Sequence, residues 1–142
     1  MIPVLCLIVT FAVLFSASTK DQKKDVPAAV ISAFEKAYPG AKVKGYLAEA
    51  GNGKMHYEIE SVKGKTTIDA LLHPDGTFFE VEEGMAAKNL PANVSGEVTS
   101  KYPKAKFAKV EMVTRETEIT YDMSLTEGKS KIRLTLDPNE KI

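Results

Sequence analysis

Within Val26–Ala37, the apolar residues Val26, Val30, Ala33, Phe34 and Ala37 recur at helical spacing. That three-and-four spacing predicts a helix with one apolar stripe. Pro27 suits its first turn, where a missing N–H leaves no partner unsatisfied. Tyr38-Pro39 ends it, because the residue before proline is pushed out of the α region. Beyond it the period falls to two. Met55, Tyr57 and Ile59 alternate with His56, Glu58 and Glu60, and Thr66, Ile68, Ala70 and Leu72 continue the alternation. This predicts antiparallel strands with one face packed and one face wet. Lys63-Gly64 predicts a tight turn between them, since glycine accepts positive φ. His73-Pro74-Asp75-Gly76 predicts another, ahead of a last strand carrying Phe78, Phe79 and Val81. With a first strand near Val43–Glu49, the unit is one helix over about four strands.

The pattern then recurs without a gap after a shift of 64 positions. Val26-Pro27-Ala28 meets Leu90-Pro91-Ala92, Tyr38-Pro39 meets Tyr102-Pro103, and Tyr57 meets Tyr121. Gly64-Lys65 meets Gly128-Lys129, Leu72 meets Leu136 and Pro74 meets Pro138. Unequal loops would break that register, so the chain reads as two tandem copies of one α+β unit. Each is a helix packed on a four-stranded antiparallel sheet, and the second copy is expected to lack its last strand. The expected divisions are 26–83 for the first copy, 84–89 for a joint and 90–142 for the second. At about 60 residues each copy buries little surface alone, so the two are expected to fold as a pair.

Ahead of the first copy, residues 1–18 carry no charged side chain, and the run from Val4 to Phe15 is almost wholly apolar. Ser16, Ala17 and Ser18 follow, then the charges of Lys20, Asp21, Lys23 and Lys24. A short apolar core, small residues and a polar stretch read as a secretory signal cleaved near Ser18–Thr19, with 19–25 as a polar linker. Retention as an anchor is the alternative. The run is short for a span, which needs roughly 20 apolar residues. The expected location is periplasmic or secreted, with no membrane span after cleavage. Cys6, the one cysteine of the chain, would leave with the signal.

Composition narrows the function. With 142 residues, 19 Lys+Arg and 19 Asp+Glu, the chain lacks the basic excess of a nucleic-acid binder. One cysteine and two histidines give a thiol enzyme or a zinc ribbon nothing to work with. No serine sits in a glycine-flanked elbow and no phosphate-binding loop is present. The expectation is a non-enzyme with no cofactor.

The order of helix, Tyr38-Pro39, strand, Tyr57-Glu58-Ile59, turn, strand, His73-Pro74-Asp75-Gly76, strand and Leu90-Pro91 resembles the PepSY-like, beta-lactamase-inhibitor-like family of secreted bacterial proteins. Tyr102-Pro103 and Tyr121-Asp122 repeat parts of it, and the resemblance covers nearly all of 26–142. It implies tandem helix-on-sheet units whose open sheet faces form a concave surface for gripping a protein, with a role in binding or inhibiting extracellular enzymes. The clipped second copy departs from the pattern.

Candidate sites follow from the wet face. Counting back through a Lys63-Gly64 turn places Glu58 opposite Asp69, His56 opposite Leu71 and His73 opposite Lys54. In the second copy the same count places Asp122 opposite Arg133, a favourable pair where the first copy has a repulsive one. Glu80 and Glu82 extend the acidic side; Lys131 and Arg133 make the second copy mixed. Residues 26–89 hold 7 basic and 9 acidic side chains, and residues 90–142 hold 9 and 8. The acidic strip is therefore read as a docking face for a basic protein surface, with an ordinary solvated face as the plain alternative. Tyr46 and Phe78 are expected to join it, since interfaces favour exposed aromatics. Tyr57, Phe79 and Tyr121 are expected in the core. His56, His73, Glu58 and Asp69 form a second candidate, a divalent-metal site, on an envelope protein that binds a small ligand or scaffolds.

Overall fold

The computed structural model describes residues 23–51 and 53–139. The expected signal at 1–18 and residues 19–22 of the linker lie outside the described residues. The rest of that linker, Lys23–Asp25, is one 3-10 turn, held to the first helix by Lys23 Nζ at 2.9 Å from Glu35.

Helix α1 (Ala28–Ala37) opens directly after Pro27, and the Tyr38 N–H closes it by donating to the Phe34 carbonyl at 2.8 Å. Val26, Val30 and Phe34 are buried; Ala37, the last position of the expected stripe, is exposed where the helix ends. Helix α2 (Ala92–Lys101) repeats the device with Pro91, Tyr102, Val94 and Val98. The strands are β1 (Lys42–Gly51), β2 (Lys54–Lys63), β3 (Thr66–Leu72), β4 (Phe78–Gly84), β5 (Lys106–Arg115), β6 (Glu118–Glu127) and β7 (Ser130–Leu136). From α1 and β1 through β3 to α2 and β5 through β7, element bounds recur 64 residues apart.

The fold is α+β, but it is one sheet rather than two. The seven strands of the described residues form a single antiparallel meander in sequence order. The seam is β4 against β5, with Val81 opposite Thr114 and Glu82 opposite Val113. Both helices cover the same face. Val30 and Phe34 pack on Ile59, Ile68, Ala70, Leu72 and Val81. Val94 and Val98 pack on Val110, Tyr121, Met123, Leu125 and Leu136. Among the described residues neither helix covers the opposite face.

Three details set what that open face presents. The β2–β3 turn is Gly64-Lys65, not Lys63-Gly64, because Lys63 pairs with Thr66. Gly64 takes φ 63°, and a two-residue loop with positive φ only at its first position is a II′ turn. The expected register is thereby corrected by two residues: Glu58 lies opposite Leu71, and Asp69 opposite Glu60. Gly128 does the same in the second half, so Arg133 faces Ser124 and Asp122 faces Thr135. A slip of two leaves every side chain on its expected face.

The second detail is a bulge in β1 between Val43 and Gly45, which turns Tyr46 to the helix side, against the first core. The third is a bulge where β4 begins, pairing Leu72 with Phe78 and Leu71 with Glu80. Phe78 then packs against the first core on the α1 side, 6.2 Å from the Tyr38 ring, and Phe79 emerges on the open face. The expectations for Tyr46, Phe78 and Phe79 are all reversed, because each bulge adds a residue and inverts the alternation.

Candidate functional site

Period-two alternation on β2, β3 and β4 places one carboxylate after another on the open face. Glu60, Asp69 and Glu82 stand directly opposite one another across three strands. Glu58 lies one step along β2, diagonal to Asp69. From β5 comes Glu111, only 8% exposed, whose carboxylate is met by Lys109 at 2.6 Å. Oxygens of Asp69, Glu82 and Glu111 lie within 4.8 Å of one another.

Crowding changes their chemistry. Glu58 is pushed up to about 7, first by burial and then by Glu49, Glu60, Asp69 and Glu82. Glu82 is also pushed up to about 7, by burial and then by Glu111, Glu80, Asp122 and Asp69. Asp69 is raised for the same reasons, with Glu60 and Glu111 as its charged neighbours. Half-buried carboxylates that repel one another retain protons. Near neutral pH the strip is therefore partly protonated, and an arriving cation can displace those protons.

The strip ends in an aromatic patch. His56 lies 4.8 Å, ring centre to ring centre, from both His73 and Phe79. It is 9% exposed, and its buried Nε2 has no hydrogen-bond partner among the described residues. Burial, His73 and Lys54 lower its proton affinity, against Glu49, so the ring is neutral at pH 7. Arg115 lies over the Phe79 ring, 5.7 Å from its centre, and its Nε donates to Glu80 Oε2 at 2.6 Å. The guanidinium thus joins the two halves across the β4–β5 seam.

Of the partner-binding candidates, Glu58, Asp69, Glu80 and Glu82 do share one patch. Lys131 and Arg133 stand exposed on the same face at the far edge, on β7. Tyr46 and Phe78 are removed from it. The expected metal set is corrected too: the ligand atoms of His56, His73, Glu58 and Asp69 do not converge. Among the described residues, the group that does is Asp69, Glu82 and Glu111. Alternation signalled Glu60, which sits two positions from Glu58. Glu111, Lys109 and Arg115 carried no such signal, because their places depend on the seam between β4 and β5.

No protein-family model matches the chain, and none of the curated proteins does. Solved structures do match. A DUF2874 family protein from Bacteroides ovatus superposes with a TM-score of 0.64 at 19% identity, covering 80% of this chain and 81% of its own. A BLIP-like protein from Bacteroides fragilis gives 0.62 at 19%, covering 80% and 79%. A Bacteroides eggerthii protein, proposed to be periplasmic, gives 0.68 at 16%, covering 82% and 84%. The chain shares their fold. At such identities the likeness concerns the fold alone. Among the described residues no helix is long and apolar enough to cross a membrane.

Proposed function

We propose that the chain is a secreted or periplasmic, non-catalytic binding module of inhibitor-like type that grips a basic surface of another protein with its open sheet face. The observation that carries this is the partly buried row Glu60–Asp69–Glu82 with Glu58 beside it. Like charges directly opposite one another cost stability, so a fold that retains them gains when a cation arrives. Lys or Arg side chains of a partner meet that need, and the His56–Phe79 patch offers apolar area beside them. The leader-like 1–18 segment and the BLIP-like and periplasmic descriptions of its fold neighbours support the location and the class. The recurrence of element bounds supports reading the halves as copies of one PepSY-like unit.

The test is capture from the envelope fraction of the producing cell. Residues 19–142 serve as bait beside an Asp69→Lys, Glu82→Lys variant, whose melting is checked first. A discrete protein held by the wild type and released by the variant supports the reading. Equal recovery by both contradicts it.

A second reading, a divalent-cation site on an envelope scaffold, draws on the convergence of Asp69, Glu82 and Glu111. It requires the melting temperature to rise on adding a divalent cation, and that rise to vanish in Glu82→Gln.

A further inference from the structure

The two halves differ at one edge. In the first, β4 lies along β3, and Ile68 and Ala70 beneath it are 2% and 0% exposed. In the second, β7 occupies the place of β3, and among the described residues no strand lies along its outer side. Ile132 and Leu134, which stand where Ile68 and Ala70 stand, are left half-buried.

That outer side is a regular strand edge. Glu127 pairs with Ser130 across the two-residue Gly128-Lys129 turn, and such a closing pair is hydrogen-bonded. Alternation then turns Ile132 and Leu134 toward β6 and directs the N–H and C=O of Lys131, Arg133 and Thr135 outward. The β6–β7 register runs without a bulge, and Asn93 of α2 ties down the segment after β7 by donating to the Pro138 carbonyl. By contrast, the edge at β1 is broken by its bulge, a common way of blocking strand addition.

We propose that the β7 edge accepts an extended segment of a partner protein in which acidic and apolar residues alternate, added antiparallel as an eighth strand. The sequence of β4 shows what fits. Against β3 it sets Glu82 opposite Asp69, Glu80 opposite Leu71 and Val81 opposite Ala70. The same strand on β7 sets the acid opposite Arg133, replacing repulsion with attraction, and the apolar residue beside Leu134. A second copy of the chain is a poorer occupant: β7 against β7, centred, sets Arg133 against Arg133. This surface is separate from the acidic strip, so one protein can engage both or either can act alone.

The test uses residues 19–142 and a synthetic peptide copying Thr77–Gly84. Amide exchange of Lys131, Arg133 and Thr135 is followed by NMR. Alone, these amides exchange fast; with the peptide they slow at least about tenfold, as edge amides gain partners. A peptide with Lys at its three Glu positions gives no protection. Arg133→Glu weakens the wild-type peptide about fivefold or more, and a peptide carrying Arg in place of Glu82 restores binding to it. The proposal is overturned if no β7 amide slows, if protection falls on β1, or if the Lys peptide protects equally. It is also overturned if protection grows with protein concentration without peptide, which would make a second copy the occupant.

Discussion

Asp69 on β3 stands directly opposite Glu82 on β4, with Glu60 opposite its other side and Glu111 closing the group from β5. Lys109 partners Glu111, and its own proton affinity is raised chiefly by that hydrogen bond. The sheet therefore holds several carboxylates beside the cations of Lys109 and Arg115, and protons held by Glu58 and Glu82 relieve part of the repulsion.

Stability should rise as pH falls from about 7 to about 4.5. Glu58 and Glu82 hold protons up to about 7 when folded, against 4.5 for an ordinary glutamate. Between those values the folded chain binds more protons than the unfolded one, and stability increases as they bind. Asp69 adds to this. His56, with lowered proton affinity, opposes it below about 6.5 as a single group. Melting temperatures across pH 4.5–8 check the slope, and a flat or inverted profile contradicts it.

Replacing Glu82 with Gln should raise the melting temperature at pH 8 and reduce that slope. The amide keeps the shape and removes the charge that Asp69, Glu80 and Glu111 oppose. At pH 5, where Glu82 is already protonated, wild type and variant should melt within a degree or so of each other. A gain that is the same at both pH values would point to packing instead of charge.

Gly76→Ala should destabilise by about 2 kcal/mol. Gly76 has φ 88°, and a Cβ there would sit 2.7 Å from the Ala29 carbonyl oxygen. The turn after β3 thus presses directly on α1, and denaturant unfolding measures the loss.

Glu116→Gly should stabilise by about 0.5–1 kcal/mol, the relief of a left-handed residue less the entropy glycine adds to the unfolded chain. Glu116 opens the β5–β6 turn at φ 54°, the one non-glycine with positive φ among the described residues. No change in the unfolding midpoint would show that the turn relaxes at no cost.

Helices, strands and, away from the bulges, their faces were legible because periodicity reports burial directly. Val30 and Phe34 announce a helix stripe, and Tyr57 and Ile59 announce a packed strand face. Register was not legible at that level. Whether Gly64 takes the first or second turn position moves Asp69 from Glu58 to Glu60, yet leaves both on the same side. Bulges were invisible, since Phe78-Phe79 reads the same whichever ring turns inward. The seam was invisible too: the pairing of Glu80 with Arg115 joins residues 35 apart across an intervening helix. The carboxylates of β2, β3 and β4 were therefore readable, and Glu111, supplied by β5, was not.

The central claim is that the open face takes cationic side chains at Glu58, Asp69 and Glu82. The most direct measurement is the affinity of the captured partner between pH 5 and 8, by calorimetry in buffers of different ionisation heat. If the account is right, affinity rises with pH by about tenfold or more and binding near pH 7 releases protons, as cations displace those held by Glu58 and Glu82. An affinity that does not change with pH, with no proton released, would contradict it.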